Sequence, residues 1–261
     1  MPRGERTSPE RADKISSLYA SGLTTRRVAS EMGMSKSGVL LVLRKRNEII
    51  GSGESRLRSL HDYELNPIME ILDGELLGDG AYAWSPSKTV ARFDMTVART
   101  NRAHVEMLHR LFSAQMPLKL APSKGWYDYK GKRIITDRIR LTSLFSRSLA
   151  EQRMRWYSSG RKQAPEDLVL SPTVLRHWYY GDGSMSNGVL LCSERYSEDV
   201  LETLRAKLNE LGFETKRYLA HGRRGRLHMG IESTRRFLAY IGPCELECYA
   251  HKWDLSFAKA A

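Results

Sequence analysis

Apolar residues recur along this chain with two different periods, and the change from one to the other predicts its elements. Near the N-terminus the period is helical. One helix is expected over residues 12–21, stopped by Gly22, and a second over 24–32, stopped by Gly33. A third follows Ser35, whose hydroxyl is placed to cap it, with Val39, Leu40, Leu41 and Leu43 as its apolar side. Farther along, the period shortens to two. Residues 89–98 set Phe93, Met95 and Val97 against Arg92, Asp94 and Thr96, and residues 138–143 set Ile139 and Leu141 against Arg138, Arg140 and Thr142. Residues 226–231 set Leu227, Met229 and Ile231 against Arg226 and His228. Helical spacing returns over 101–112 through Val105, Leu108 and Leu111, over 197–211 up to Gly212, and from 235 to 241. A short apolar strand is expected at 189–192 and a further strand at 213–219.

Strands with one apolar and one Arg/His/Thr face predict half-buried antiparallel sheets whose open faces are basic. Ordinary solvation explains any one such face; three biased alike fit a nucleic-acid-binding sheet better. Composition points the same way. The 261 residues carry 42 Lys+Arg against 30 Asp+Glu, a net charge of +12, and an excess of that size implies a polyanionic partner. At 41% hydrophobic the chain has enough apolar residues for a sizeable core and more than one domain. No stretch is apolar enough for a bilayer span, and no secretion or transit signal is read at the N-terminus. Three cysteines without a zinc-ligand pattern imply a reduced, cytoplasmic setting.

The sequence divides into residues 1–50, a small helical unit; 51–64, a Gly/Ser-containing linker; and a duplicated body of 65–165 and 166–261. Residues 1–60 hold 12 basic and 6 acidic side chains, which tilts the helical unit towards DNA rather than protein contact. Its string 24–39 resembles a helix-turn-helix, in which the helix after the turn would present Lys36, Ser37, Arg44, Lys45 and Arg46 to the major groove. The duplication shows in the body as Gly78-Asp79-Gly80 and Gly181-Asp182-Gly183, each closing a helical apolar run, with the aspartates 103 residues apart. Paired carboxylates that meet are a common way to hold a divalent metal beside phosphate.

With their flanks, these copies resemble the LAGLIDADG homing endonucleases of the single-chain, two-motif type. The motif lies on Leu72 to Gly80 and on Leu175 to Gly183; Trp156-Tyr157 through Pro165, and Phe237 through Trp253, are similar to the family's connecting and closing segments. The resemblance implies an α+β fold of two pseudo-symmetric αββαββα repeats with antiparallel-sheet saddles, joined here to an N-terminal all-α helix-turn-helix unit. It implies that the motif helices pack along a pseudo-twofold axis, with Gly74, Gly78 and Gly181 allowing close approach. The sequence departs where Leu77 and Tyr180 replace an acid and where His177 takes the second copy's central glycine. Glu75 is expected to contact His177 across the crossing.

By the same resemblance the protein is a monomer that hydrolyses one phosphodiester per strand of a DNA duplex at a long asymmetric site, in a bacterial or phage-encoded, nucleoid-associated setting. Asp79 and Asp182, helped by the carbonyls of Gly78 and Gly181, would bind Mg²⁺, with Mn²⁺ or Ca²⁺ as substitutes in binding. Lys252, and in the first repeat Lys162, would stabilise developing charge or position water, with plain phosphate contact or surface charge as the alternative. Bases would be read by Arg92, Arg99, Arg138, Arg140, Arg226 and His228, with Asp94 accepting from cytosine. A non-cleaving transcription regulator of the same fold and an intron RNA maturase remain as rival functions.

Overall fold

The computed structural model describes residues 7–21, 23–46, 62–193, 195–218 and 225–256. Gly22 and residues 51–61 of the expected linker lie outside them. Three helices open the chain: α1 (Pro9–Ala20), α2 (Thr25–Glu31) and α3 (Lys36–Lys45). Each starts on a hydroxyl cap. Ser8 accepts from Arg11 N, Thr24 from Arg27 N and Ser35 from Gly38 N, so each hydroxyl pairs a backbone N–H that the first turn leaves open. Gly33, at φ 58°, makes the turn between α2 and α3. Ile15, Tyr19, Val28, Ala29, Val39, Val42 and Leu43 form a core of their own. Leu41, expected in that core, is 57% exposed. Positions 39, 42 and 43 share one helix face, whereas 41 points away from it.

The body begins with α4 (Met69–Leu77) and continues through β1 (Ala81–Trp84), β2 (Ala91–Ala98), α5 (Arg102–Phe112), β3 (Leu118–Tyr129), β4 (Lys132–Ser143) and α6 (Arg147–Trp156). The order repeats as α7 (Pro172–Asp182), β5 (Gly183–Ser186), β6 (Gly188–Leu191), α8 (Glu198–Glu210), β7 (Thr215–Tyr218), β8 (Arg226–Met229) and α9 (Ile231–Ile241). Each half is therefore αββαββα. The sheets are antiparallel and match in order, β1-β2-β4-β3 and β5-β6-β8-β7. One apolar core serves both halves, from Phe93, Met95 and Val97 of β2 to Leu227 and Met229 of β8.

Ile231, expected at the end of a strand over 226–231, opens α9 instead, because β8 stops at Met229. Leu111 is 44% exposed, and Phe112 takes its place inside. The strand expected at 138–143 is the inner half of β4, which pairs along its whole length with β3 and turns at Lys130 and Gly131, both at positive φ. The outer half of that hairpin leaves Trp126, Tyr127, Tyr129 and Ile135 exposed. With neither face buried, it carries no apolar/polar alternation to find.

Candidate functional site

α4 and α7 cross at the centre of the body, and their C-terminal ends meet. Gly78 and Gly181 allow this: a Cβ added to either would lie 3.4 Å from the other's Cα. A Cβ on Gly181 would also lie 3.2 Å from Asp79 N and 3.8 Å from Asp79 Oδ2, and one on Gly78 would lie 3.5 Å from Asp182 N. The two Gly-Asp-Gly segments, a whole repeat apart in sequence, are thus in van der Waals contact. Asp79 and Asp182 are both half-exposed there.

A lysine closes each helix end. Lys162 Nζ donates to the carbonyls of Gly78 (2.8 Å) and Gly80 (2.7 Å). Lys252 Nζ, from the 3-10 turn Glu247–Lys252, donates to those of Tyr179 (3.1 Å) and Tyr180 (2.6 Å). Helix ends present unpaired carbonyls and the negative pole of the helix dipole, so an ammonium suits both places. Burial pushes the Lys162 ammonium down to about 8, helped by Arg195 and opposed by Asp182 and Asp79. Burial does the same to Lys252, down to about 8, opposed by Asp79 and Asp182. Each lysine feels both aspartates, as four groups at one place must.

Gly78 was expected to offer its carbonyl to a metal; Lys162 already donates to it, leaving one lone pair. Tyr196 of the second repeat donates to the Leu77 carbonyl at 3.1 Å, tying the halves together beside the site. Arg195, a position no sequence pattern marks, lines the cleft formed with Gly78, Lys162, Asp182 and Tyr196.

The expected contact between Glu75 and His177 is present, at 2.7 Å from Oε1 to Nδ1. Sequence spacing missed His104, whose Nε2 lies 2.7 Å from the same oxygen and whose Nδ1 lies 3.1 Å from Tyr249 Oη. Burial alone would raise the Glu75 carboxyl; His104 and His177 outweigh it and hold the group down to about 2.

Away from the crossing, the sheets carry the expected basic positions on their open faces. Register places Asp94 opposite Thr142, Thr96 opposite Arg140 and Ala98 opposite Arg138. Asp94 is not open, however. Arg140 Nε donates to it at 2.7 Å and Arg92 Nη2 at 3.2 Å. Arg138 leans on Thr136 Oγ1 at 3.1 Å, and Arg99 lines a groove with Arg102, Lys124 and Arg138. In the second sheet His228 faces Lys216 and Arg226 faces Tyr218 across the β7–β8 pair, which adds Lys216 and Tyr218 to the residues expected. On α3, Lys36, Ser37, Arg44 and Lys45 are exposed, while Arg46 is paired with Asp13. Ser37, Leu41, Arg44 and Lys45 share the outer face. Among the described residues no helix is long and apolar enough to cross a membrane.

Residues 69–237 match the profile of the LAGLIDADG DNA endonuclease family. The chain is 28% identical over 208 residues to the uncharacterized protein MJ1098 of Methanocaldococcus jannaschii, covering 74% of this chain and 76% of that one. Among solved structures, the homing endonuclease I-WcaI bound to its DNA recognition sequence superimposes with a TM-score of 0.56 at 17% identity, over 69% of this chain and 84% of that one. Full-length DUF199/WhiA from Thermatoga maritima gives a TM-score of 0.45 at 16% identity, over 74% and 62% of the two chains.

Proposed function

The chain belongs to the LAGLIDADG DNA endonuclease family, and on that premise we propose that it is a site-specific endonuclease that cuts both strands of a DNA duplex. One observation carries the reading. Two aspartates from repeats 103 residues apart end in one place, each beside a lysine that closes its own helix. A fold that used the crossing only for packing has no need of four ionisable groups there.

The donors at that place are carboxylate and peptide oxygens, which suit a hard divalent cation such as Mg²⁺ better than a thiophilic one. Asp79 and Asp182 would hold it, with the Gly181 carbonyl and the remaining lone pair of the Gly78 carbonyl. When bound, Mg²⁺ supplies polarisation of the scissile phosphate and a more acidic water. The chain's own residues do the rest. Lys162 and Lys252 put positive charge where the phosphate gains negative charge, and they are already fixed on helix-end carbonyls, so no reorganisation is needed.

Each sheet's first strand starts at its own Gly-Asp-Gly, at Ala81 and at Gly183, and the open faces supply the DNA contacts. Arg92, Arg99, Arg138, Arg140, Arg226 and His228 remain the proposed readers, joined by Lys216 and Tyr218. Asp94, held by two arginines, orients them rather than meeting cytosine itself. The two faces carry different side chains, so one monomer reads an asymmetric site. The outer face of α3 adds a second contact, with Arg44 and Lys45 on phosphate and Leu41 available for a thymine methyl.

That exposed α3 face also favours a second reading, a regulator that binds without cutting. One experiment separates the two. Purified protein is incubated with a randomised duplex library in Mg²⁺ and in EDTA, and cut ends are sequenced. Recurrent cuts at one sequence, present only with Mg²⁺ and lost in Asp79→Asn, support the nuclease. Retention of duplexes without cutting supports the regulator, and preference for folded RNA supports a maturase.

A further inference from the structure

Glu75, His104 and His177 are buried at the crossing, and the proposed chemistry uses none of them. Glu75 Oε1 lies 2.7 Å from His104 Nε2 and 2.7 Å from His177 Nδ1. Glu75 and His104 belong to the first repeat, His177 to the second. Glu75 stands four residues before Asp79 and His177 five before Asp182, so the link lies roughly one helical turn below each acid.

Two histidines and a glutamate also outline a transition-metal site, but the spacing is that of hydrogen bonds. Ligands around a tetrahedral zinc ion with bonds of about 2.05 Å stand about 3.3 Å apart. Here both imidazole nitrogens approach one oxygen at 2.7 Å, so the two N–H groups fill its two lone pairs. Tyr249 Oη at 3.1 Å from His104 Nδ1 fixes that ring from behind.

Gly78 against Gly181 lets the helices approach, but neither glycine has a side chain to set their register. A buried polar contact in a helix seam does set it, since every other register strands a desolvated polar group. We propose that Glu75 is a positioning residue: its hydrogen bond to His177 fixes the register of the two motif helices and so the separation of Asp79 and Asp182. The consequence for metal binding rests on the nuclease reading; the contact itself does not. His104 steadies the carboxylate from within the first repeat and does not span the helices, so the two histidines have separable roles.

Mn²⁺ titrated into the protein on a duplex recovered from the cleavage selection tests this, with uptake followed by loss of the free-ion resonance and folding checked by circular dichroism. His177→Ala is expected to raise the Mn²⁺ midpoint about tenfold or more, the scale on which small misplacements act. His104→Ala, which also strands a buried partner, is expected to stay within about threefold of wild type. Glu75→Gln keeps an oxygen that accepts from both imidazoles and is expected to stay near wild type. Should the alanine variants not fold, His177→Phe and His104→Phe preserve ring volume without the donors. Equal midpoints for the two histidine variants would overturn the inference alone, as would a stoichiometric zinc ion retained through dialysis. A wild-type protein that takes up no Mn²⁺ on cleavable duplex would end the nuclease's metal chemistry and this inference together.

Discussion

His177 fills the space that Gly74 leaves open: a Cβ built on Gly74 would lie 2.5 Å from His177 Cβ and 2.6 Å from the Val174 carbonyl oxygen. The second copy of the motif places a large ring where the first has no side chain, and the fit is between unlike partners. Gly74→Ala should therefore destabilise the protein by about 1–3 kcal/mol, because one obstacle is backbone and cannot rotate away. Chemical unfolding measures this, and a neutral outcome would mean the helices are less tightly pressed than described.

Acid should expose the buried carboxylate. The folded protein holds Glu75 at about 2 against an ordinary 4.5. A depressed folded value gives stability that is present above about 4.5 and lost as pH falls from there towards 2. Unfolding midpoints for wild type and Glu75→Gln should converge across that window. Parallel curves would show that the carboxylate is not held by its histidines.

The lysines predict the opposite dependence for catalysis. Both titrate at about 8 in the folded protein, and the account uses their ammonium form. Single-turnover cleavage should then decline as pH rises through about 8, and Lys162→Met or Lys252→Met should each cost about 10²–10³-fold in rate. A rate that climbs steadily through that pH would assign the lysines a neutral, proton-accepting role instead.

Arg44 and Lys45, exposed on α3, should contribute charge without reading sequence. Replacing both by Ala should lower the slope of log affinity against log salt by about 1.8, or 0.9 per lost phosphate contact. Cutting at saturating protein should persist. An unchanged slope would remove α3 from the DNA interface.

Much of this arrangement was legible in the sequence because it is repeated or periodic. Ser35 capped its helix as the spacing implied, Phe93, Met95 and Val97 faced inward, and the duplicated Gly-Asp-Gly led to a single crossing. What escaped had no local signal. The outer β3–β4 hairpin buries neither face, so no alternation marks it. Leu41 and Leu111 are the exception: hydrophobicity points them inward, but helix phase, legible in the spacing, puts Val42 and Phe112 there instead. His104 reaches Glu75 only through tertiary packing, 29 residues away. Arg140 reaches Asp94 from the neighbouring strand, a pairing that the alternation within Asp94's own strand does not mark.

Strand-resolved, single-turnover cleavage of the selected duplex tests the central claim most directly, with wild type, Asp79→Asn and Asp182→Asn compared in Mg²⁺ and in EDTA. The account predicts that wild type cuts both strands only with Mg²⁺, and that either substitution abolishes double-strand cutting while duplex affinity is kept. Cutting that survives EDTA, or both substitutions together, would contradict a shared metal site at the helix crossing.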